Sequence, residues 1–562
     1  MGKARNVLFV MCDQLRWDYL SCYGHPHLKT PNIDRIAARG VKFNRAYCQS
    51  PVCGPSRMSF YTGRYVNSHG ASWNFVPLRI GEQTLGDHLR PLGIRTALVG
   101  KTHMRADYMG MSRLGIDEKS SEGLFVSQCG FEPFERDDGI HPSSSHDPNP
   151  KYNQYLREKG FEGENPWEDW ANSAEGENGE LLSGWYLENA HLPARVPAEH
   201  SETAYITGRA IDFIEEAGTE PWCLHLSYIK PHWPYMTPSP YAGMYSADKA
   251  LPIVRDNIEK ENAHPVYSEF QKLKISTAMS RDDVRNSVLP AYMGMIKQID
   301  DEIGRLLKFL DERGQMDHTM IIFTSDHGDY LGDHWLGEKD LFHEPSVRIP
   351  FIVCDPNKEA DKTRGTSSNE LVEAIDVVPT ILEAVGGYPQ PHILDGRALQ
   401  TLLYGEKPVD WRKYVISEYD YSFMNARIDL DMPSRECWLR MVFDGRFKYI
   451  KSDGFRPMLF DLVSDPNEFN DLGDSPAFVK ERTRLDQMLF EWALKPRQRV
   501  TITDGMLENT DIQRNITEAG ILIGYYNKAE LAKVREKWKP KPIFAAFNPV
   551  WNKMQNKLKK GN

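Results

Sequence analysis

The sequence predicts an α/β protein: a large, mostly parallel sheet sandwiched by helices, followed by a smaller C-terminal antiparallel sheet with its own helix. Three observations carry this reading. Residues 7–11 and 320–324 are continuous apolar runs of strand length, the pattern of central strands buried on both faces. Strand-like and helix-like segments alternate up to about residue 400, as they do in sheets covered by helices on both sides. Beyond residue 405 the segments turn short and strand-like, and Asp444-Gly445 between two apolar runs is a strong hairpin signal.

In chain order, the first strand (7–11) ends at Cys12-Asp13-Gln14. Further strands are predicted over 95–99, 222–227 and 350–353, with helices over 203–217 and 371–384. A long helical pattern over 291–313 leads into strand 320–324, which ends at Ser325-Asp326-His327-Gly328. Two buried strands that each end in a carboxylate suit a site at the C-terminal edge of an open sheet. Residues 105–200 are rich in Glu, Asn, Ser, Gly and Pro and carry Trp167, Trp170 and Trp185. This elaboration is expected to fold as short helices, either as a lid that shapes substrate choice or as a surface insertion anchored by its tryptophans. Strands over 414–418, 438–443, 447–451 and 458–462 and a helix over 476–494 complete the C-terminal part. The expected division is 1–404 for the main α/β domain, 405–496 for a small α+β subdomain and 497–562 for an arm. That arm ends basic, from Lys553 to Lys560, and is expected to clasp either a neighbouring subunit or its own main domain. A homo-oligomer, dimer or tetramer, is the expectation. The sequence shows no internal repeat.

The chain has 562 residues, with 68 Lys and Arg against 79 Asp and Glu, a formal charge of -11. No global field draws in nucleic acid or an acidic membrane, so an anionic ligand needs a local positive site. The apolar run 7–12 is too short for a signal peptide and is followed by Asp13, and no apolar run is long enough to span a bilayer. The eight cysteines are scattered, with no C-x-x-C pair. A cytoplasmic, reduced protein with neither a nucleic-acid nor a membrane partner is expected.

The most informative segment is Cys53-Gly54-Pro55-Ser56-Arg57. Proline suits the first turn of a helix, which places Cys53 at or just before a helix N-terminus, where orphan amides favour an anion. Alone, such a cysteine is either a lowered-pKa nucleophile or an inert buried thiol. The segment matches the pentapeptide that marks type I sulfatases. Asp13-Gln14, Gly100-Lys101-Thr102-His103, Lys230-Pro231-His232-Trp233-Pro234, Ser325-Asp326-His327-Gly328, Lys339 and Leu459-Phe460-Asp461 resemble the family's other motifs, in the family's order. The chain thus resembles the formylglycine sulfatases of the alkaline phosphatase superfamily, near the arylsulfatase and phosphonate monoester hydrolase group.

The resemblance implies that a formylglycine-generating or equivalent maturation enzyme oxidises Cys53 to formylglycine. One hydroxyl of the hydrated aldehyde then attacks the ester, and the other expels the inorganic product. It implies one divalent cation held by Asp13, Gln14, Asp326, His327 and the modified Cys53. Strand-end aspartates taken singly often cap turns, so the set rather than any member carries the metal reading. The family commonly has Asp at position 14 and Asn at position 327. Gln14 and His327 lower the ligand charge and add a nitrogen donor, which leaves Ca²⁺ and Mn²⁺ open and makes Mg²⁺ the weaker candidate. Arg57, Lys101 and Lys339 are expected around the developing negative charge, with Arg57 also holding the diol. His232 is expected to protonate the leaving group and His103 to serve the second hydroxyl, with the reverse assignment open. Asn74, Lys101, His232 and Lys339 are expected to touch the substrate, with His334 and His343 as outlying contacts. The implied reaction is hydrolysis of a small, aryl-type sulfate monoester. Phosphonate monoesters, phosphodiesters and choline sulfate are the rival substrates. Lys101 with His103 favours sulfate, because the phosphonate hydrolases usually carry Tyr and Thr there. The tryptophans of the elaboration are expected to stack on an aryl group or cradle a cation. A non-catalytic anion-binding protein is the alternative from a different class.

Overall fold

Eight strands build the main sheet of the protein, whose computed structural model describes residues 4–144, 150–508 and 510–538. In chain order they are β1 (Asn6–Asp13), β2 (Val41–Tyr47), β3 (Arg95–Gly100), β4 (Glu132–Arg136), β5 (Trp222–Pro231), β6 (Thr319–Ser325), β7 (Phe351–Cys354) and β8 (Thr366–Glu373). They lie in the order β8-β2-β7-β6-β1-β5-β3-β4. Strand β7 runs against its neighbours β6 and β2, and the other pairings are parallel. The two apolar runs, β1 and β6, sit side by side at the centre with every residue buried, as near-continuous apolar strands require.

Register then fixes where the chain leaves the sheet. Met11 pairs with Thr324 on one side and Ser227 on the other, and Ser227 pairs with Gly100. The segments after β1, β6, β5 and β3 therefore emerge together at one edge, carrying Asp13, Asp326, His232 and Lys101. Helix α1 (Cys53–Thr62) follows β2, is buried along its whole length, and ends at Gly63, whose φ of 65° closes the last turn. Helix α2 (Glu202–Ala217) starts at Ser201, whose side chain accepts the Ala204 N–H.

Three sequence expectations change. Helix α3 (Asp282–Glu312) begins well before residue 291 and runs through Pro290, because Val288, Leu289, Tyr292 and Ile296 bury along one continuous face. The predicted helix 371–384 divides: Leu371, Val372 and Glu373 finish β8 against β2, and α4 (Val377–Val385) follows. Glu373 and Asp376 form a reciprocal cap between them, and Arg412 pairs with both carboxylates, which sets the break. Finally, the elaboration is not wholly peripheral. It contains short helices as expected, but it also supplies β4, an edge strand of the main sheet. Its Glu-Pro-Phe-Glu-Arg sequence carries charge and proline, which an edge position tolerates and a central one does not.

The C-terminal antiparallel sheet runs β9 (Val415–Asp420), β10 (Trp438–Phe443), β11 (Phe447–Ser452) and β12 (Met458–Asp461). Its hairpin turns at Gly445, with φ 92°, while Asp444 Oδ1 accepts the Arg446 and Phe447 N–H groups. Helix α5 (Val479–Ala493) buries Leu485, Leu489 and Trp492 against Ile416, Val442, Tyr449 and Leu459. The buried Lys448 ammonium lies 2.9 Å from Glu344 and 2.7 Å from Glu468, tying this sheet to the segment after Lys339. Among the described residues, those up to 390 together with 394–496 form one compact unit, and those from 497 to 538 with 391–393 form another. The second contains the helices Asp504–Glu508, Ile512–Glu518 and Lys528–Glu536. The basic stretch 553–560 lies outside the described residues. Among the described residues, no helix is long and apolar enough to cross a membrane.

Candidate active site

Cys53 is the first residue of α1 and is fully buried. Its Sγ lies 3.1 Å from His327 Nε2, 3.3 Å from Lys339 Nζ and 3.7 Å from Asp13 Oδ1. His103 lies close enough to Cys53 for the two groups to influence each other electrostatically. Asp13, Cys53, Asp326 and His327 offer ligand atoms that all lie within 4.8 Å of one another. His327 Nδ1 donates to the Gly328 carbonyl at 2.9 Å, which leaves Nε2 free of its proton and turned to the cluster. Two carboxylates, an imidazole nitrogen and the position-53 side chain form a donor set that fits one divalent cation. Asp13 Oδ2, Lys101 Nζ and Arg57 Nη2 form no hydrogen bond of regular geometry and meet one another as a buried ion-pair cluster beside this set. Gln14, with φ 65° directly after β1, offers Oε1 to Lys339 Nζ at 2.9 Å and sits beside this set.

The charges around the cysteine are paired with care. Lys101 Nζ lies 2.5 Å from Asp13 Oδ2, and Arg57 Nη2 lies 3.3 Å from the same oxygen. Burial alone raises the Asp13 pKa, but Lys101, His232, Arg57 and Lys339 outweigh it and hold the carboxyl well below its usual range. Burial also opposes the Lys339 charge, yet Cys53, Glu338 and Asp13 keep its pKa raised. The three imidazoles are pushed the other way. His232 falls well below its ordinary value through burial and then Lys339, and His103 falls through burial and then Lys101. Burial likewise lowers His327, against the opposing pull of Asp326.

Most residues singled out in the sequence therefore converge, with four revisions. Arg57 does not reach the position-53 side chain by a hydrogen bond. Its Nε donates to Asp326 Oδ2 at 2.8 Å, and Nη1 donates to the Lys101 carbonyl and Ser227 Oγ, each at 2.8 Å. It neutralises the two carboxylates, because α1 points it inward beneath the cysteine. Asn74 caps α1, its Oδ1 accepting the Gly54 N–H at 2.7 Å, so its carbonyl is committed to the fold. His334 and His343 stack on each other, with ring centroids 3.8 Å apart, and form a separate group with Glu259. Of the tryptophans, Trp167 is fully buried with its Nε1 on Glu202 Oε1, and Trp170 lies under the Arg195 guanidinium. Only Trp185 presents an exposed ring. It is 36% accessible and stands 5.8 Å from Trp233, whose own ring is 4.3 Å from that of His232. Trp185, Leu187, Trp233, Pro234, Ile275 and Ala278 line a largely apolar cavity of 460 Å³ beside the site.

Several supporting residues have no signal in the sequence pattern. Asp138 accepts the Thr102 and His103 N–H groups at 3.1 and 3.0 Å, fixing the turn at His103, whose φ is 53°. Asp329 takes Gln14 Nε2 at 2.5 Å and the Tyr235 hydroxyl at 3.0 Å, which turns the Gln14 carbonyl towards the cluster. Asp329 stands two residues after His327, and its proximity to that motif was the available clue.

Comparison with known proteins agrees with the site. The Sulfatase family matches residues 5–388, and the family described as N-sulphoglucosamine sulphohydrolase, C-terminal, matches residues 332–495. The chain is 33% identical to the "Multifunctional alkaline phosphatase superfamily protein PehA" of Trinickia caryophylli, over 88% of this chain and 96% of that protein. It is 28% identical to an arylsulfatase of Clostridium perfringens, over 86% of this chain and 94% of that one. Among solved structures, the phosphonate monoester hydrolase SpPMH from Silicibacter pomeroyi superposes with a TM-score of 0.76 at 26% identity, covering 88% of this chain and 96% of its own. With family, fold and site in agreement, the chain belongs to the sulfatase family of the alkaline phosphatase superfamily and is a sulfuric ester hydrolase.

Proposed function

We propose that the protein hydrolyses small, aryl-type organic sulfate monoesters through a formylglycine made from Cys53, with one divalent cation, Ca²⁺ or Mn²⁺. The observation that carries this is the position of Cys53. It begins a buried helix and lies within reach of Asp13, His327 and Lys339, in one cluster with Asp326. Asp13, Gln14, Asp326 and His327 would hold the cation. When bound, the cation supplies Lewis-acid charge and lowers the pKa of the hydroxyl it holds. The hydrate of a formylglycine would supply that hydroxyl and a second one, whose deprotonation re-forms the aldehyde and expels inorganic sulfate.

The chain's own groups then have separate tasks. Lys101 and Lys339 bind the anionic ester oxygens in a site closed to water, where fixed charges act most strongly. Arg57 pairs with both Asp13 and Asp326 and keeps them aligned. His103, neutral because it is buried beside Lys101, is suited to take the proton of the second hydroxyl. His232 presents Nε2 to the site because its Nδ1 donates to the Trp233 carbonyl at 2.7 Å. An anionic ester beside Lys339 and His232 offsets the lysine's field and returns the imidazole towards protonation, as an acid for the leaving oxygen requires. The cavity beside Trp185 and Trp233 accommodates the organic part. The partners of this reading are the small ester, a maturation enzyme for Cys53 and a second copy of the chain.

A second reading, a hydrolase of phosphonate monoesters or phosphodiesters, is favoured by the likeness to SpPMH. Comparing kcat/KM for an aryl sulfate, an aryl phosphonate and an aryl phosphodiester separates the two. The aryl sulfate is expected to be the best substrate, and its ranking last would reverse the assignment. Mass spectrometry of the Cys53 peptide is expected to show the aldehyde. An unmodified thiol in fully active, natively produced enzyme would sink the nucleophile. Metal analysis of the same sample is expected to give one Mn²⁺ or Ca²⁺ per chain.

A further inference from the structure

We propose that Lys230 is a positioning residue for His232, holding the imidazole in line with the leaving-group oxygen and tying its loop to the 105–200 insertion. The proposal rests on the reading of His232 as the proton donor. Lys230 lies near the end of β5, only 7% exposed, and its Nζ crosses the following loop to donate to the Pro234 carbonyl at 2.9 Å. Within that loop the His232 N–H donates to the Ile229 carbonyl, and His232 Nδ1 donates to the Trp233 carbonyl. The carbonyl that aims the imidazole and the carbonyl that Lys230 grips are thus neighbours in the chain. Movement of one carries the other.

The same ammonium donates to Asn172 Oδ1 at 3.3 Å. Asn172 is itself fixed within the insertion, its Nδ2 on the Trp167 carbonyl at 3.1 Å and its own carbonyl accepting the Gly184 N–H at 2.8 Å. Lys230 is the point where insertion and loop are bolted together. Burial lowers the Lys230 pKa, and Glu202, which also faces Asp137, His141 and the Trp167 indole, offsets part of that fall. An apolar side chain of similar volume would avoid the cost of burial. An ammonium with three directed N–H groups does what the apolar one cannot, which is to fix carbonyl positions.

The test compares leaving groups. A misplaced acid hurts a substrate whose leaving oxygen needs a proton far more than one whose leaving group departs unaided. In Lys230→Met, kcat for phenyl sulfate is expected to fall about 10- to 100-fold while kcat for 4-nitrophenyl sulfate stays within about 3-fold, since a positioned acid is worth about 10²–10⁴. Lys230→Arg is expected to recover most of the phenyl sulfate rate, and Asn172→Ala to show the same selectivity more weakly in a protein with a normal melting temperature. His232→Ala is the reference and is expected to show the selectivity in full. If His232→Ala is selective and neither Lys230→Met nor Asn172→Ala is, the positioning role fails and the acid assignment stands. If none of the three is selective, both fail.

Discussion

Replacing Asp326 by Asn keeps the side-chain volume and removes one charge and one acceptor. In the structure Oδ1 accepts the Gln14 and His327 backbone N–H groups, both at 3.0 Å, and Oδ2 accepts Arg57 Nε–H at 2.8 Å. Every partner is a donor. An Asn amide therefore sets its NH₂ either against the guanidinium or against two backbone N–H groups, and no flip resolves the conflict. The substitution loses one or two charge-assisted bonds of about 1.5–3 kcal/mol each. It also leaves Arg57 with only Asp13, 3.3 Å away, as an ionic partner. Breaking a buried pair costs about 3–5 kcal/mol, which agrees with the bond count. Unfolding entropy of about 2.1 cal/mol/K per residue gives about 1 kcal/mol/K for a compact unit of this size, so the midpoint falls by about 3–5 °C. The assay is thermal unfolding at one fixed scan rate, with metal analysis on the same samples, since large proteins seldom unfold reversibly. Aryl sulfatase activity is expected below about 1% of wild type, in line with loss of a residue that stabilises the reacting charge. A midpoint within about 1 °C of wild type together with a full metal complement would refute the reasoning.

Three further outcomes are expected. His327→Asn exchanges a nitrogen donor for an oxygen and should shift the bound cation from Mn²⁺ towards Ca²⁺ in a competition read by elemental analysis; an unchanged ratio counts against His327 as a ligand. Trp185→Ala removes an aromatic wall worth about 0.5–1.5 kcal/mol, so kcat/KM for 4-nitrophenyl sulfate should fall about 2- to 12-fold while ethyl sulfate is unaffected. Equal losses on both substrates would place Trp185 outside the leaving-group site. His225, stacked on Phe9 and hydrogen-bonded to the Tyr61 hydroxyl at 2.9 Å, has its pKa lowered from 6.5 to about 3, by burial first and then by Arg57. The unfolded chain protonates it first, so its contribution is complete above about pH 6.5 and is lost as pH falls towards 3, by up to about 1.4 kcal/mol per pH unit. His225→Phe should flatten the acid side of the stability profile, and an unchanged slope would mean another group carries it.

What the sequence revealed follows from how chemistry constrains residue type. A nucleophile precursor, carboxylates at strand ends and lysines beside them admit few substitutes, so Cys53, Asp13, Asp326, Lys101 and Lys339 stand out before any coordinates. Arg57 stands out equally, but a motif does not say which way its side chain points, and the structure shows it on Asp13, Asp326, Ser227 and the Lys101 carbonyl. Asp138, Asp329 and Ser227 are ordinary residues whose roles exist only through partners distant in sequence. The fold divides similarly. The central strands are legible because both faces are buried, whereas β4 is an edge strand whose Glu132, Pro133 and Glu135 erase the apolar signal. The junction of β8 and α4 depends on Arg412, a partner that no local pattern of residues 371–384 contains.

The net charge of -11 looks unsuited to an anionic substrate until burial is considered. Arg57, Lys101 and Lys339 stand against Asp13 and Asp326, three cations to two carboxylates before any metal is counted, and all five are at most 8% exposed. Charges in such a site are weakly screened, whereas solvent-exposed acidic groups are largely screened beyond about 8–10 Å at physiological salt. A single ester group that enters the pocket therefore experiences the local excess of positive charge, not the total. A sulfated polymer must place its remaining sulfates outside the pocket, along a surface belonging to a net-acidic chain. The local excess of positive charge is what the proposed reaction on a single sulfate ester requires.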